Sequence, residues 1–416
     1  MFFDTVIIGA GPAGLACGIA VQRRGASAVI LERNASPGKK LLLSGSGQCN
    51  VTHAGPMTDF ITHYGGPKKT RFVKPALLAW TNEDAKRFFA DIGVPLRTRE
   101  DGKIFPASQN SRDILNALVN EYKNLGGTLH TDRQVTDVGD APNSGEYRVT
   151  ANGAEYRSKN IVFATGGCSY PATGSDGNAF RIVKKFLDGD MVKPKPALTP
   201  VYVRRKFFAA IAGLAIENAE IFLYRHEKKI QTKTSDLLFT HHGLSGPAIL
   251  DLSRGIEVGD AIRVRFCSEL WRKTKSEKDF NALFDGKKTL DNGLAPLGLP
   301  ERLLTFLFDH LSISTAERSV KIAETKQETR QKIFDAVFRG EPFSVTKMGG
   351  FSEAMATAGG VAINAVDRRT MRSRRHPQIS FCGEILDIDG DTGGYNIHFA
   401  LASGFLTGQN DTVQRQ

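Results

Sequence analysis

Three glycines near the amino terminus have the spacing of a phosphate-binding turn. Gly9, Gly11 and Gly14 follow an apolar, partly β-branched run at residues 5–8 and open a helical pattern over residues 12–24. In a strand–turn–helix unit, the first glycine permits the tight turn, the second lets the backbone approach a pyrophosphate, and the third lets the helix pack closely on the strand. The free N–H groups at the helix start would then face the phosphates.

An acidic residue stands where such a unit needs one to bind a ribose. A second apolar strand, predicted at residues 27–31, ends at Glu32, 18 residues beyond Gly14. A carboxylate there accepts a hydrogen bond from a ribose 2'-hydroxyl and repels a 2'-phosphate, which favours FAD or NAD over NADP. The alternative is a fortuitous glycine cluster in a buried turn. The ordered succession of strand, glycines, helix, strand and acid argues against it.

The loop that follows, residues 33–50, is rich in glycine and serine and contains Lys39 and Lys40. Its many free backbone N–H groups are suited to wrap a nucleotide and to continue along it toward a redox ring. A merely flexible loop is the alternative. The position of the loop directly after the ribose acid favours the binding function.

Two later segments repeat the pattern of an apolar strand that meets glycine. Residues 160–164 run into Thr165, Gly166 and Gly167, which is typical of two-dinucleotide-binding-domain flavoproteins, and residues 379–382 run into Gly383. An apolar helix is predicted at about residues 398–406. Its N-terminal amides are suited to stabilise negative charge on the N1 and C2 carbonyl side of a reduced flavin.

The middle of the chain has a different pattern from its two ends. Residues 193–270 favour short strands and residues 271–345 favour helices, and neither contains a second GxGxxG. We predict an α/β, Rossmann-like two-dinucleotide-binding-domain flavoprotein fold whose FAD-binding domain is discontinuous, at residues 1–192 and 346–416. An inserted β-rich subdomain (193–270) and an inserted helical subdomain (271–345) separate its two segments. A chain of 416 residues is long enough for these parts.

The excess of positive charge is concentrated in three segments. Lys and Arg outnumber Asp and Glu 55 to 44, for a net charge of +11. Clustered cations suggest a polyanionic partner because phosphate contacts release counterions; solvated faces that keep the protein soluble are the alternative. The segments are residues 68–74, 204–233 and 368–375, with Lys68, Lys69, Arg71 and Lys74 in the first, Arg204 to Lys233 bounding the second, and Arg368, Arg369, Arg372, Arg374 and Arg375 in the third.

The cysteines and the amino terminus bear on compartment and metals. Five cysteines, an odd number, are widely spaced without CxxC or Cys/His metal spacing, so we expect neither a disulfide framework nor a metal site. Reduced thiols fit a cytoplasmic protein. The apolar stretch at residues 5–21 is interrupted by glycines and a proline, so we expect neither a signal peptide nor a membrane anchor.

Four motifs in order along the chain resemble the BaiN/RdsA family of FAD-dependent oxidoreductases. They are Ser44-Gly-Ser-Gly-Gln-Cys-Asn50, Ala164-Thr-Gly-Gly-Cys-Ser-Tyr-Pro171, Leu238-Phe-Thr-His-His-Gly-Leu-Ser-Gly-Pro247, and Gly383-Glu-Ile-Leu-Asp387 with Gly393-Gly-Tyr-Asn396. The resemblance covers nearly the whole chain. This sequence departs from the family pattern at Gln48, where the family commonly has arginine.

The resemblance implies a bound FAD, a three-part architecture and two kinds of substrate. The family includes ribosomal RNA dihydrouridine synthases, which act on a uridine of large-subunit RNA, and enzymes proposed to reduce unsaturated steroid acids. Together with the motifs, the resemblance gives a set of expected cofactor-binding residues: Gly9, Gly11, Pro12, Ala13, Gly14, Glu32, Arg33, Lys39, Lys40, Leu41, Ser44, Gly45, Gly47, Cys49, Asn50, Val135, Thr165, Gly166, Gly167, Gly383, Glu384, Asp387, Gly394, Tyr395, Asn396 and Ile397.

Both substrate classes contain a carbon–carbon double bond conjugated to a carbonyl, and both need a hydride on the β carbon and a proton on the α carbon. Cys49 is the first candidate for the proton donor because it lies in the loop expected to reach the flavin; the alternative is a buried structural thiol. Cys168, Tyr170, His241 and His242 are further candidates.

The clustered positive charge favours one substrate class, because cations gain binding free energy from the phosphates of ribosomal RNA but not from a steroid. We therefore expect a reductase of uridine in ribosomal RNA, driven by NADH or NADPH, that binds RNA through its basic segments. Small-molecule enone reduction is one alternative. An RNA-binding assembly factor with a structural FAD is another. The sequence does not specify the oligomeric state.

Overall fold

The protein is built around a seven-stranded sheet and a closed barrel of six strands. The computed structural model describes residues 1–141, 145–187, 189–204, 208–266, 270, 282 and 286–410. Contacts divide the chain into two units, residues 1–197 with 351–416, called here the split unit, and residues 198–350, called the barrel unit. The strands within the described residues are β1 (Phe2–Ile8), β2 (Ala28–Leu31), β3 (Thr52–His53), β4 (Leu96–Thr98), β5 (Lys103–Pro106), β6 (Thr128–His130), β7 (Val135–Ala141), β8 (Glu146–Ala151), β9 (Ala154–Phe163), β10 (Met191–Ala197), β11 (Val201–Val203), β12 (Ala215–Arg225), β13 (Lys228–Phe239), β14 (Gly243–Ser245), β15 (Ala261–Arg265), β16 (Glu341–Met348), β17 (Ala356–Val361) and β18 (Ile379–Phe381).

The helices lie before, between and after these strands. The α-helices of the described ranges are α1 (Pro12–Arg23), α2 (Met57–Phe60), α3 (Pro67–Ala79), α4 (Asn82–Asp91), α5 (Ser111–Asn124), α6 (Phe180–Val183), α7 (Phe208–Ile211), α8 (Pro247–Leu252), α9 (Leu290–Gly293), α10 (Glu301–His310), α11 (Thr315–Arg318), α12 (Gln327–Phe334) and α13 (Tyr395–Gln409). In the part of the chain that the structure describes, none of them is both long and apolar enough to cross a membrane.

The split unit is built on a seven-stranded sheet with a parallel centre. Its order is β6-β2-β1-β9-β8-β7, and β18 pairs with the end of β9. The pairs β1–β2, β1–β9, β2–β6 and β9–β18 are all parallel. The short β2 and β18 are buried at every position, as expected for parallel strands covered on both faces. The Rossmann-like α/β fold predicted from the sequence is confirmed.

Helix α13 joins the carboxyl-terminal segment to the amino-terminal helix. Gly404 and Gly408 of α13 lie against α1, and a Cβ at Gly404 would collide with the carbonyl oxygen of Ala13. Most of both helices is buried, which explains why neither has a clear polar face. Close packing of these small residues therefore holds the two distant segments of the split unit together.

The barrel unit is a closed barrel with helices beside it in sequence. Its strand order is β11-β14-β13-β12-β15-β16, and β16 pairs with both β11 and β15. Five of these strands precede the helices α9 to α12, and β16 follows them. The division of the insertion into a β subdomain (193–270) and a helical subdomain (271–345) stays a prediction, and part of it falls outside the described residues.

Candidate active site

Four segments that the sequence singled out meet at one edge of the parallel sheet. Gly9 directly follows β1, Glu32 follows β2, Ala164 follows β9 and Cys382 follows β18. In register, Ile8 is opposite both Leu31 and Phe163, and Phe381 is opposite Phe163. Since parallel strands end on the same side, this carboxyl edge is where an open α/β sheet binds its ligands.

The glycine turn has two glycines that are sterically required and one that faces open space. Gly9 has φ +105°, and a Cβ there would lie 2.6 Å from the carbonyl oxygen of Ala164. A Cβ at Gly14 would collide with the carbonyl oxygen of Gly9, whereas a Cβ at Gly11 would meet nothing within 4 Å. Helix α1 begins at Pro12 with no side-chain cap. Its first N–H groups therefore face a space that phosphate oxygens can fill.

The carboxylate of Glu32 is fixed beside this turn and is 7% exposed. Its Oε2 accepts a hydrogen bond from the N–H of Ala10 at 3.0 Å, and its Oε1 accepts from the backbone N–H of Asn34 at 2.9 Å and from Asn34 Nδ2 at 2.7 Å. Arg133 donates its N–H to the carbonyl oxygen of Glu32 at 2.8 Å, which brings the start of β7, at Val135, close to the acid. The carboxylate of Glu32, predicted to bind a ribose, is thus rigidly held.

The cations of the loop after Glu32 have partners within the chain. Arg33 Nη1 lies 2.6 Å from Asp176 Oδ2, and Lys39 Nζ donates to Asn34 Oδ1 at 3.3 Å. Lys40 Nζ lies 2.5 Å from Glu384 Oε2. Two of the expected cofactor contacts, Lys40 and Glu384, therefore bind each other across the site.

Glu384 is the centre of a hydrogen-bond network that the sequence did not indicate. Its Oε1 accepts from Ser169 Oγ at 2.9 Å and from the N–H of Thr357 at 2.8 Å. Thr357 Oγ1 in turn accepts from the N–H of Cys168 at 2.8 Å. Ser169 belongs to a motif that was recognised, but no sequence signal marks Thr357. The network fixes the Thr165–Gly167 turn against the carboxyl-terminal segment.

Three buried hydroxyls near the carboxyl edge lack hydrogen-bond partners among the described residues. They belong to Thr52, Thr165 and Ser175. A Cβ at Gly166 would lie 2.9 Å from Ser175 Oγ, so this hydroxyl faces the Thr165–Gly167 turn. Buried hydroxyls are normally hydrogen-bonded. Together with the open space at Gly11, these hydroxyls fit a polar, nucleotide-sized cofactor such as FAD.

The Ser44–Asn50 motif meets the start of α13. Leu41 begins a 3-10 segment, Leu41–Gly47, in which Gly45 and Gly47 have positive φ. Asn50 is buried and accepts the N–H of Ile104 at 3.2 Å. A Cβ at Gly394, which precedes α13, would lie 2.9 Å from Asn50 Oδ1. Two motifs far apart in sequence thus form one wall.

Two other predicted residues of the carboxyl-terminal segment hold loops in place. The Oδ1 of Asn396 accepts a hydrogen bond from the N–H of Gly390 at 2.8 Å, and its Nδ2 donates to the carbonyl oxygen of Gly390 at 2.9 Å. Ile397 follows it in α13. Asp387 Oδ1 accepts from the N–H of Gly359 and from Lys69 Nζ, each at 2.9 Å. Lys69 also lies 2.9 Å from Asp389. Burial lowers the pKa of Lys69, but the two carboxylates outweigh it and raise the pKa overall.

The pairing of Lys69 corrects one part of the charge prediction. Lys69 was counted with the cations of segment 68–74, but its side chain is only 24% exposed and its ammonium lies 2.9 Å from each of two carboxylates. It stabilises the loop at residues 387–389 instead of facing solvent. A charge run in the sequence does not show which of its members find acids elsewhere in the chain.

The first candidate for the proton donor is inaccessible in this structure. Cys49 is 0% exposed and has φ +61°. Burial raises the pKa of its thiol to about 12, although a hydrogen bond with the Ser44 side chain opposes this. Cys49 as donor stays a prediction.

The further candidates lie in different surroundings. Cys168 is half-buried, and burial together with Glu384 and Asp176 raises the pKa of its thiol. Tyr170 has φ +53° and precedes a 3-10 turn. His241 and His242 belong to the barrel unit, are exposed, and His242 stacks on Tyr202 with ring centroids 6.3 Å apart.

A stack of three rings lies at the start of α13 and was not predicted. The Tyr395 ring lies between His63, with centroids 4.1 Å apart, and His53, at 5.4 Å. His63 Nδ1 lies 3.0 Å from Asp391 Oδ2, and the N–H of Asp391 donates to the carbonyl oxygen of His63 at 2.9 Å. Tyr395 was expected at the cofactor. No sequence signal connects His63 with Asp391, since 328 residues separate them.

Known proteins similar to this chain cover almost its full length. A ribosomal RNA dihydrouridine synthase of Haemophilus influenzae is 27% identical over 97% of this chain and 97% of its own. A ribosomal RNA dihydrouridine synthase of Escherichia coli is 28% identical over 98% of each chain. A 3-dehydro-bile acid delta(4,6)-reductase of Clostridium scindens is 26% identical over 97% of each.

The family follows from the match and from the fold together. The sequence model of the HI0933-like protein Rossmann domain matches residues 3–410. This range includes both segments of the parallel sheet and the whole carboxyl edge described above. The resemblance drawn from the four motifs is therefore confirmed: the chain belongs to the HI0933-like family and is a Rossmann-fold oxidoreductase.

Proposed function

We propose that this protein is an FAD-dependent reductase that converts uridine to dihydrouridine in large-subunit ribosomal RNA, with NADH or NADPH as the source of electrons. The glycine turn, Glu32 and the unpartnered hydroxyls support the FAD site. Two relatives of nearly equal length carry the name of this activity. The choice of RNA over a small molecule rests on the charge of one surface of the split unit.

That surface, called here the α3 basic surface, consists of Lys68, Arg71, Lys74, Arg368 and Arg369. The first three follow one another at every third position of α3 and are exposed, so they share one face of the helix. Arg368 Nη1 donates to the carbonyl oxygen of Arg71 at 3.3 Å, which joins two charged segments that are 297 residues apart. Within the described residues, ion pairs engage Lys69 but none of Lys68, Arg71 and Lys74.

The basic segment of the barrel unit differs because acids pair with two of its described cations, whereas Lys228 and Lys229 are exposed. Arg225 pairs with Asp260 and with Glu257 at 2.8 Å, and Lys233 pairs with Asp251 at 2.8 Å. Arg205 and Lys206 lie outside the described residues. Cations without acidic partners release counterions when phosphates bind them, whereas paired cations must first lose a partner. The observation that carries the RNA assignment is the α3 basic surface, where cations from two distant segments meet without acidic partners among the described residues.

The residues of the carboxyl edge have distinct tasks in this function. The N–H groups at the start of α1 would bind the pyrophosphate, and Glu32 would accept the ribose hydroxyl. When bound, FAD supplies the hydride for the β carbon of the conjugated double bond. The start of α13 at Gly394 would stabilise negative charge on the ring. NADH or NADPH would dock only transiently, because a single GxGxxG occurs in the sequence.

The test measures the modified nucleoside directly. In a strain that lacks this gene, large-subunit ribosomal RNA is digested to nucleosides and dihydrouridine is quantified by mass spectrometry. We expect loss of the modification and its return with the wild-type gene. Unchanged dihydrouridine would instead favour the reduction of a small conjugated substrate, a candidate supported by the bile acid reductase among the relatives. An assembly factor with structural FAD would show no bleaching of the flavin by NADH or NADPH.

The α3 basic surface has its own test with a matched control. Lys68→Ala with Lys74→Ala removes two unpaired charges, and Lys228→Ala with Lys229→Ala removes two exposed charges from the barrel unit. We expect the first pair to flatten the dependence of log Kd for the RNA on log salt by about 1 to 2 units, and the second to leave it near wild type. If the two double variants showed the same dependence of log Kd on log salt, the α3 basic surface would no longer support the RNA assignment.

A further inference from the structure

We propose that His63, held by Asp391 and stacked on Tyr395, donates the proton in the reduction, an inference that rests on the proposed function. The reaction needs an acid within reach of the α carbon of the substrate. Cys49 was expected to supply it from the sequence. The structure offers a group that is better placed and more accessible.

The ring of His63 is fixed on two sides and open on others. Its Nδ1 lies 3.0 Å from Asp391 Oδ2, and its ring is nearly parallel to that of Tyr395, with an interplanar angle of 16°. A carboxylate on Nδ1 fixes the tautomer and the orientation of the ring, as in other acid–base pairs of this type. The side chain keeps 34% of its surface exposed. Nε2 is therefore the nitrogen that can reach a substrate.

The stack lies beside the residues that would hold the flavin. A Cβ at Gly393 would lie 3.2 Å from the ring of Tyr395 and 3.4 Å from that of His53, and Gly394 adjoins Asn50. Helix α3, with its unpaired cations, begins at Pro67, four residues after His63. His63 thus contacts Tyr395 at the wall predicted to hold the flavin ring and precedes the α3 basic surface in sequence, and we infer that a base of bound RNA enters here.

Two other groups near the start of α13 are less suited to the task. Cys49 is fully buried, so its thiol cannot contact a substrate without movement of the loop. His398 is also fully buried, and its Nε2 lies 3.1 Å from the carbonyl oxygen of Trp80. An imidazole that is reachable from solvent can regain a proton from water. Of these three, only His63 has that access.

The step balances with the partners already named. The C5=C6 bond of uridine accepts a hydride with its electron pair at C6, and the former π electrons form a bond from C5 to the proton leaving Nε2. His63 becomes neutral, keeps the Nδ1–H directed to Asp391, and regains a proton from water. NADH or NADPH, through the cofactor, supplies the two electrons.

The other ionisable groups around His63 do not compete for this role. Asp391 accepts the Nδ1–H, and the Tyr395 ring separates His63 from His53, whose Nδ1 lies 2.8 Å from the carbonyl oxygen of Ala54. The hydroxyl of Tyr64 donates to the carbonyl oxygen of Tyr395 at 2.8 Å. Burial raises the pKa of Tyr64 well above its ordinary value, so its phenol stays neutral.

The experiment separates the two halves of the catalytic cycle in the FAD-loaded protein. We expect His63→Gln to keep its FAD and its reduction by NADH or NADPH, but to reoxidise 10²- to 10⁴-fold more slowly with substrate RNA. The decline of this rate with rising pH should be absent from His63→Gln. Asp391→Asn should also slow this step, because the His63 ring loses the carboxylate that fixes its tautomer and orientation. His53→Gln, which removes the other ring of the stack, should still show the decline of the reoxidation rate with rising pH.

A second measurement does not depend on activity. Nitrogen NMR of the His63 ring in the apoprotein should show the Nδ1–H tautomer when the ring is neutral. An Nε2–H tautomer, or a reoxidation rate of His63→Gln equal to wild type, would overturn the assignment. If wild-type protein itself makes no dihydrouridine, the proposed substrate is wrong, and the same variants tested with a small enone then decide the role of His63 separately.

Discussion

The two ends of the candidate site are built in opposite ways. The glycine turn end, from β1 through Gly14 to Glu32, comes from one continuous stretch of about thirty residues. The stack end, with His53, His63, Asp391 and Tyr395, joins segments more than 300 residues apart. The first end depends on backbone sterics and the second on side-chain contacts. The predicted cofactor-binding turn can therefore be recognised locally, whereas the proposed acid–base pair depends on assembly of the whole split unit.

The largest effect is expected at the glycine turn, from Gly11→Val. A Cβ there meets no protein atom within 4 Å, so the fold should survive, but the side chain fills the space that the pyrophosphate needs. We expect purified protein without flavin, measured by its absorbance, and a free energy of unfolding of the apoprotein close to wild type. Gly14→Ala is the contrast, because its Cβ collides with Gly9 and should cost about 1 to 3 kcal/mol of stability. Normal flavin content in Gly11→Val would contradict the site.

The next effect concerns pH and lies at the stack end. Burial lowers the pKa of His398 to about 3, against the opposing influence of its hydrogen bond to Trp80. The folded state thus binds this proton less readily than the unfolded state. The contribution of neutral His398 to the free energy of unfolding is therefore complete above pH of about 6.5. It is lost as pH drops toward 3, by up to about 1.4 kcal/mol per pH unit. Urea unfolding between pH 7 and 4.5 should show this slope.

His398→Gln is the control for that slope. Its amide can still donate to the carbonyl oxygen of Trp80 but does not titrate in this range. We expect the variant to lose about 2 kcal/mol less stability than wild type between pH 7 and 4.5. Parallel pH profiles would mean that His398 is not the buried neutral imidazole described here.

The smallest effect on the reoxidation rate is expected from Cys49→Ala. This variant tests the donor expected from the sequence against the donor proposed from the structure. If His63 is the donor, the variant keeps its FAD and reoxidises with substrate within about tenfold of wild type, the change reflecting only a small cavity. The measurement is the same half-reaction used for His63→Gln. Loss of product formation with normal flavin content would instead make Cys49 the acid, as its loop position indicates, and would refute the role of His63.

Local patterns in the sequence predicted several elements closely. The helix expected at residues 12–24 is α1, Pro12–Arg23, and the strand expected at residues 27–31 is β2, Ala28–Leu31. Such elements follow from backbone preferences and from the spacing of apolar residues, which neighbours in sequence determine. The partners of Lys40 and Lys69 could not be predicted, because their carboxylates come from the far end of the chain.

The sequence by itself determined the glycine turn and the family, and it predicted a ribose-binding acid at Glu32, because these depend on residues in fixed order along the chain. Only the tertiary structure decided which cations stay unpaired, that Arg368 meets Arg71, and that His63 meets Asp391. These contacts depend on how α3 and α13 pack over the sheet, and a linear pattern does not record the distance between side chains hundreds of residues apart. The chemistry of this protein therefore depends on packing, although its nucleotide fold is evident in its first thirty residues.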